Sequence, residues 1–247
     1  MKKKFNKKIT NRFLIVLITI LIVLSLFAYF SIYRNHSWQF YVDKSIGPNN
    51  KLTIFDNLIF NENEVFFNSQ NKNTYALNQK TGQIKWMFMA EDYSPFPPTI
   101  DGDQMFLSNF DGNIYCLDKN TGHKIWQFNT EEQFQPDTPV LKSINKNLIF
   151  FGSRNGTLYA LNSDDGTLVW KKQFKTIDSS KAFIAGSIHF GSIYLENNEI
   201  YIFNSLEKSF FSIDQLDGSI NWQINNLPFN YRSPIFLPKN IIIKHDQ

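Results

Sequence analysis

The chain has 247 residues and a formal net charge of +3, from 25 basic and 22 acidic side chains. Six of the basic residues lie within the first twelve positions, so the remainder carries 19 basic and 22 acidic residues and shows no basic stripe. This distribution argues against nucleic-acid binding, and a single cysteine excludes an internal disulfide.

The N-terminal segment has the pattern of a membrane anchor. Residues 1–12 are basic without an acidic residue, and twenty uncharged residues follow at 13–32. At about 1.5 Å rise per residue, a helix of that length just crosses a hydrocarbon core of about 30 Å. The positive-inside rule then places the basic tail in the cytoplasm. We therefore expect a cytoplasmic tail (1–12), a transmembrane signal-anchor helix (13–33) in the bacterial inner membrane, and an extracytoplasmic domain (34–247) in the periplasm or outside the cell.

A cleaved signal peptide is the alternative interpretation of this segment. The apolar run is longer than a usual signal core, and the best cleavage site, after Ala28, has the bulky Leu26 two residues before it. A lipoprotein signal is not expected, because the only cysteine is Cys116.

An eleven-residue pattern recurs four times in the domain. It reads small residue, aliphatic residue, Asn or Asp, three turn residues, Gly, three further residues and Trp, at positions 76–86, 116–126, 160–170 and 212–222. With Trp38 included, successive tryptophans are 48, 40, 44 and 52 residues apart, so the chain is a repeat protein. The glycine of each copy is expected in the left-handed conformation, which a Cβ would penalise.

Each period predicts four short antiparallel strands. Aromatic and β-branched runs precede the copies, at 64–67, 104–107, 148–151 and 199–202. A proline or small residue opens another apolar run further upstream, at 98–100, 139–141, 186–188 and 234–236. Asp111-Gly112 and Asn155-Gly156 predict hairpins with both central residues at positive φ. The other two copies carry Asn71-Lys72 and Glu207-Lys208 there, a weaker turn signal.

Four-stranded units with a period of 40 to 50 residues are typical of β-propeller blades. A β-sandwich core is the alternative, but it does not require one motif four times. The pattern Ala-x-Asp/Asn-x-x-Thr/Asp-Gly-x-x-x-Trp resembles the tryptophan-docking motif of the pyrroloquinoline-quinone (PQQ)-type propeller repeat. It covers residues 54–224, with weaker flanks over most of 38–243. The resemblance implies a structural docking role for Trp38, Trp86, Trp126, Trp170, Trp222, Gly82, Gly122, Gly166 and Gly218.

The expected fold is therefore an all-β, PQQ-like propeller of four clear blades plus a split or incomplete fifth, preceded by one transmembrane helix. Trp38-Gln39-Phe40 has the pattern of the last strand of a blade, and residues 231–245 have that of the first strands of another. Either these pieces complete one blade and close the ring, or the chain is a truncated relative of a seven- or eight-bladed propeller.

Two loops are candidate binding sites. Residues 175–183 have no counterpart in the other repeats. Residues 90–98 contain Tyr93, Phe96, Pro97 and Pro98, which would form an aromatic contact patch. An ordinary surface loop is the alternative for the first, and a plain crossover between blades is the alternative for the second.

No catalytic, cofactor-binding or metal-binding residue is predicted. The four histidines, His36, His123, His189 and His245, lack the spacing of a zinc site. The aspartates lie at turns, where side-chain bonds to the backbone explain them. Several quinoprotein alcohol dehydrogenases place a disulfide between adjacent cysteines, whereas Cys116 is alone and takes a small core position.

The repeat is shared by quinoprotein dehydrogenases and by non-enzymatic propellers similar to the barrel-assembly lipoprotein of the bacterial outer membrane. The resemblance to the second group implies a membrane-anchored, non-catalytic scaffold that binds envelope proteins, in outer-membrane protein assembly. No cofactor and no small-molecule substrate are expected. The alternatives are a PQQ-dependent membrane-bound dehydrogenase or a PQQ-binding relative, and a truncated, inactive propeller.

Overall fold

The computed structural model describes residues 23, 58–130, 136, 138–174, 190–204, 208–227, 235–237 and 240–242. The contacts divide the chain into two compact units, Met1–Tyr41 with Lys80–Gly82, and Val42–Gln79 with Gln83–Gln247. All the described strands belong to the second unit.

Several predictions fall outside the described residues: Trp38, the strand at 186–188, the loop at 175–183 and three of the histidines. Of the predicted anchor segment, only Val23 is described, and it is helical. In the part of the chain that the structure describes, no helix is long and apolar enough to cross a membrane.

The described strands form four antiparallel four-stranded sheets in which each strand pairs with the next along the chain. Blade one is β1 (Ile59–Asn61), β2 (Glu64–Asn68), β3 (Asn73–Asn78) and β4 (Ile84–Met89). Blade two is β5 (Thr99–Asp101), β6 (Gln104–Ser108), β7 (Asn113–Asp118) and β8 (Lys124–Asn129). Blade three is β9 (Leu141–Lys142), β10 (Leu148–Gly152), β11 (Thr157–Asn162) and β12 (Leu168–Gln173). Blade four is β13 (Phe190–Glu196), β14 (Glu199–Asn204), β15 (Ser209–Asp214) and β16 (Ile220–Ile224).

Two further strands, β17 (Ile235–Leu237) and β18 (Asn240–Ile242), pair as a hairpin after blade four. They match the first strands predicted for an incomplete fifth blade. The all-β, four-bladed prediction is therefore confirmed. Strand β1 was not predicted, because neither a proline nor a small residue opens its apolar run.

The repeat motif sets the same β-bulge in every blade. The small residue of each motif pairs directly with the tryptophan, as in Ala76 with Trp86 and Ser212 with Trp222. The register shifts immediately afterwards, so that Leu77 pairs with Ile84 and one residue of the outer strand is unpaired. A bulge bends the strand and increases its twist, and its recurrence gives all four tryptophans the same place in their sheets.

The hairpins between the second and third strands correct one prediction. Gly112 and Gly156 have φ of +86° and +81°, but Asp111 and Asn155 are not among the described residues with positive φ. The turns are therefore not the two-residue type in which both central residues are left-handed.

The hydrogen bonds show the turn that forms instead. The Gly112 N–H donates to the Asn109 carbonyl at 3.2 Å, and the Asn109 N–H donates to the Asn113 carbonyl at 3.0 Å. This is a type I turn followed by one left-handed residue. Lys72 and Lys208 take that left-handed position in blades one and four, with φ of +70° and +49°.

A separate hydrophobic cluster fills each interface between successive blades. Each cluster joins the tryptophan face of one blade to the opposite face of the next. The first combines Phe66, Ala76 and Trp86 with Met105, Leu107, Tyr115 and Leu117. The second combines Phe106, Ile114, Cys116 and Trp126 with Val140, Ile149, Phe151, Tyr159 and Leu161. The third combines Phe150, Leu158, Ala160 and Trp170 with Ile200, Ile202, Phe211 and Ile213. A blade buries its apolar faces only by stacking on its neighbours.

Candidate protein-binding surface

Three of the motif tryptophans bind the glycine turn of the following blade. The indole Nε1–H of Trp86 donates to the Lys119 carbonyl at 2.8 Å. In the same way Trp126 donates to the Ser163 carbonyl at 3.0 Å, and Trp170 donates to the Gln215 carbonyl at 3.0 Å. Each carbonyl lies three residues before the motif glycine, so one structural unit is repeated at three interfaces. We call the segment that receives the indole the docking turn.

The docking turns require glycine for two independent reasons. Gly82, Gly122, Gly166 and Gly218 all have φ between +70° and +73°, as predicted, and side chains disfavour that region. In addition, a Cβ on Gly122 or Gly166 would lie 2.5 Å from Cε3 of the docked indole. At Gly218 the corresponding distance is 2.8 Å. Real Cβ atoms do not approach a ring so closely, so the indole could not dock on any other residue.

Trp222 differs from the other described tryptophans. It packs on its own blade, with ring centroids 6.0 Å from Tyr201 and 5.7 Å from Phe210. Its side chain is 38% exposed, against 8% for Trp86. Within the described residues, no docking turn receives it.

The loop at residues 90–98 is a well-bonded crossover. The rings of Tyr93 and Phe96 lie 5.1 and 6.5 Å from the Phe110 ring, and all three are half-buried. The Asn68 amide donates to the Phe96 carbonyl at 2.6 Å, and the Ser94 hydroxyl donates to the Ser108 carbonyl at 2.6 Å. Because its aromatic rings pack inward, the structure favours the crossover interpretation over an aromatic contact patch.

The outer strand of blade one carries an exposed apolar pair that the sequence reasoning missed. Met87 and Met89 are 58% and 67% exposed. They follow Trp86 by one and three positions, and therefore lie on the face of β4 opposite to the docked indole. We call these two side chains the methionine patch. Phe60, on β1 of the same blade, is also exposed.

Polar residues occupy the equivalent positions of the other three blades: Gln127 and Asn129, Lys171 and Gln173, Gln223 and Asn225. One side chain of each pair forms a hydrogen bond with the buried residue at the start of the third strand of its blade. The Asn129 amide donates to Asn113 Oδ1 at 2.9 Å, the Thr157 hydroxyl donates to Gln173, and the Ser209 hydroxyl donates to Asn225 at 2.9 Å. In blades two, three and four, one polar cross-strand pair thus joins the start of the third strand to the end of the fourth.

Blade one lacks that pair. Asn73 pairs with Met89 across the strands, and the thioether provides no donor. Asn73 is 9% exposed, and among the described residues its Oδ1 has no hydrogen-bond partner. A buried acceptor without a partner costs about 1–3 kcal/mol. Blade one therefore lacks a stabilising interaction at the position where it exposes two methionines.

The ionisable residues of the described blades have structural explanations. Asp118 accepts from Thr121 Oγ1 at 2.9 Å and from the Thr121 and Asn120 N–H groups at 2.8 and 2.9 Å. These bonds, the Thr121 side chain first, lower the pKa of Asp118. His123 is exposed in the same turn. In the described ranges, no group of three or more His, Cys, Asp or Glu side chains is arranged to hold a metal ion.

Cys116 lies in the interface between blades two and three, and is fully buried as a small core residue. Burial, with a smaller contribution from the Asp164 charge, raises the pKa of its thiol to about 12. The thiol is therefore protonated at neutral pH and has no nucleophilic character.

Comparison with known proteins gives one family. A PQQ-like repeat model described as "Outer membrane protein assembly factor BamB" matches residues 49–128 and 110–234. A search of curated protein sequences finds no significant match.

Solved structures show the same fold. BamB from Moraxella catarrhalis is 17% identical with a TM-score of 0.51, over 73% of this chain and 66% of its own. The computationally designed protein Ika8 is 14% identical with a TM-score of 0.62, over 80% of this chain and 56% of its own. Quinohemoprotein alcohol dehydrogenase from Comamonas testosteroni is 14% identical with a TM-score of 0.55, over 77% of this chain and 39% of its own. The chain thus spans two thirds or less of each of these proteins.

Proposed function

This chain belongs to the family described as outer membrane protein assembly factor BamB, and from that membership we propose that it is a protein-binding scaffold in the bacterial envelope. Its role would be to hold partner proteins during outer-membrane protein assembly. The observation that carries the proposal is the family match over most of the domain, which includes every strand of all four blades.

The blades suit a scaffold because their interfaces are rigid. Three indoles are each fixed by packing on a glycine and by a hydrogen bond to a backbone carbonyl. Residues held on rigid elements bind a partner without a large ordering cost.

We propose that the methionine patch is the contact site for an envelope partner. Methionine adapts its shape to different apolar surfaces and is frequent at binding surfaces of broad specificity. The two side chains are exposed on a blade whose sister blades carry amides or lysine there.

The proposal includes a non-catalytic domain held by the N-terminal hydrophobic segment in the inner membrane, with the blades on the periplasmic or outer side. The basic tail followed by twenty uncharged residues supports this orientation. Quinohemoprotein alcohol dehydrogenase from Comamonas testosteroni shares the fold at 14% identity. A shared fold does not imply a shared reaction. The single, buried Cys116 cannot supply the adjacent-cysteine disulfide of several such enzymes.

The test is co-purification with a tagged full-length chain from detergent-solubilised envelopes of its native bacterium. Quantitative mass spectrometry should find outer-membrane assembly proteins enriched with the wild type and reduced about tenfold or more with the Met87→Gln/Met89→Asn variant. The matched control, Gln127→Met/Asn129→Met, changes the equivalent positions of blade two and should retain them.

Equal recovery with both variants would remove the methionine patch from the proposal. Recovery of no assembly protein at all would contradict the scaffold function. Saturable PQQ binding in the presence of Ca²⁺, with dye-linked alcohol oxidation by the purified chain, would show instead that the protein is a dehydrogenase.

A further inference from the structure

The three described methionines differ in their access to solvent. Met87 and Met89, the methionine patch, are 58% and 67% exposed, whereas Met105 is fully buried in the cluster between blades one and two. Cys116, the single cysteine of the chain, is also fully buried, and burial raises the pKa of its thiol to about 12. In the part of the chain that the structure describes, the two methionines of the patch are therefore the only sulfur-containing side chains that a dissolved oxidant can reach.

The two thioethers occupy one small area of the blade. They alternate with Phe88 along β4, so their side chains lie on the same face of the strand. A rise of about 3.3 Å per residue separates their Cα atoms by about 6.6 Å. Phe88 lies on the other face, where its ring packs 5.2 Å from the ring of Tyr115. A reaction at either sulfur atom therefore changes the same patch of surface.

A peroxide converts a thioether to a sulfoxide. The sulfur atom attacks one peroxide oxygen and the O–O bond breaks, so that hydrogen peroxide yields the sulfoxide and water. Sulfur loses two electrons in this step, and the peroxide accepts them. The product carries a polar S=O group, which accepts hydrogen bonds, on a side chain that was apolar. Methionine sulfoxide reductases reverse the reaction with two thiols, which leave as a disulfide together with water.

The fold accepts a polar side chain at both positions. Blade two carries Gln127 and Asn129 there, and both are exposed on the same face of β8. Blade two nevertheless keeps the docked indole of Trp126 and its pairing with Cys116 across the strands. Two sulfoxides on β4 would therefore change the surface of blade one without displacing the indole of Trp86.

We propose that Met87 and Met89 form a reversible oxidation site that switches the methionine patch between an apolar and a polar state. Its consequence for binding rests on the proposed function, in which an envelope partner contacts this patch. An apolar contact is stabilised in proportion to the apolar area that it removes from water. Oxidation places a polar oxygen in that contact, and burying a polar group without a hydrogen bond is unfavourable. The sulfoxide state therefore releases the partner, and reduction restores binding.

The first measurement follows the sulfur atoms themselves. The purified full-length chain in mild, peroxide-free detergent is treated with hydrogen peroxide, and mass spectrometry of its peptides gives the sulfoxide fraction at each methionine. We expect Met87 and Met89 to oxidise at least about tenfold faster than Met105 in the folded protein, and all three to oxidise at similar rates in urea. Similar rates for all three in the folded protein overturn the proposed site.

Hydrophobic-interaction chromatography then reports the state of the patch without any partner. The oxidised chain should elute earlier than the reduced chain, and treatment with the two methionine sulfoxide reductases, one for each sulfoxide epimer, should restore the original elution. The matched control is Met87→Leu/Met89→Leu, which keeps the patch apolar and removes both reactive sulfur atoms. Unchanged elution of the oxidised wild type, or an equal shift of the control, overturns the switch.

Co-purification from envelopes separates the switch from the function on which its consequence rests. Outer-membrane assembly proteins should be recovered about tenfold less with the oxidised wild type than with the reduced wild type, and equally with the oxidised and reduced control. Recovery that oxidation leaves unchanged overturns the release of the partner, while the scaffold function stands. Recovery of no assembly protein with the reduced chain contradicts the scaffold function and the release together, whereas the oxidation site is judged by the first two measurements.

Discussion

The clearest prediction concerns the contact between an indole and the glycine beneath it. Replacing Gly166 with alanine places a methyl group 2.5 Å from Cε3 of Trp126 and forces alanine into φ +73°. The left-handed conformation costs about 1–2 kcal/mol for a residue with a Cβ. Inserting a methyl group into a filled space costs about 1–3 kcal/mol more. The hydrogen bond from Trp126 to the Ser163 carbonyl would also lengthen. We expect Gly166→Ala to lower the free energy of unfolding by about 3 kcal/mol.

The chain contains a matched control for this experiment. Gly102 is also left-handed, at φ +58°, but a Cβ there would meet nothing within 4 Å. Gly102→Ala therefore carries the conformational cost alone, about 1–2 kcal/mol. The difference between the two variants isolates the contact with the indole.

The assay is urea denaturation of each full-length variant in mild detergent, followed by tryptophan fluorescence. We expect the free energy of unfolding of Gly166→Ala to be lower than that of Gly102→Ala by about 1–3 kcal/mol. Equal losses for the two variants would refute it, because the indole would then add nothing to the requirement for glycine.

Four further outcomes follow from the same structure. Met89→Asn should supply a donor to Asn73 Oδ1 and raise the free energy of unfolding by about 1 kcal/mol, whereas Met89→Ala should not. Lys72→Gly should raise the urea midpoint, by up to about 1 kcal/mol of stability, because it removes a side chain from φ +70°; an unchanged midpoint would show that the turn is unstrained. The Cys116 thiol, with its pKa raised to about 12 by burial, should react with a thiol reagent at pH 8 only after denaturant is added. Since the pKa of Asp118 is lowered by its bonds to Thr121, its contribution to stability is present above the unfolded pKa and is lost as the pH falls through the folded pKa. Asp118→Asn should accordingly lose less stability than the wild type between pH 6 and pH 3, and parallel losses would contradict this assignment.

The repeat architecture was predictable because its signals are local. A glycine at a left-handed turn and a tryptophan four residues later define one end of a blade by themselves. The type of the preceding hairpin was not predictable from the Asp111-Gly112 pair. The same two residues fit a two-residue turn and a type I turn with a following left-handed glycine. Only the strand register, in which Ser108 pairs with Ile114, decides between them.

The methionine patch had a sequence signal that becomes visible when the four repeats are aligned after their tryptophans. Blade one has Met-Phe-Met where blade two has Gln-Phe-Asn. Alternation along a strand places Met87 and Met89 on the face away from the interface. The burial of Asn73 and its unsatisfied oxygen depend on how two strands pack, and the sequence alone does not show them.

The proposed scaffold surface requires that the methionine patch contacts an envelope partner in the living cell. A photo-reactive benzophenone amino acid placed at Met89 should form an ultraviolet-dependent adduct with an outer-membrane assembly protein. The same residue placed at Asn129, the equivalent position of blade two, should form none. Adducts of equal yield at both positions, or no adduct with an assembly protein at Met89, would contradict the proposed scaffold surface.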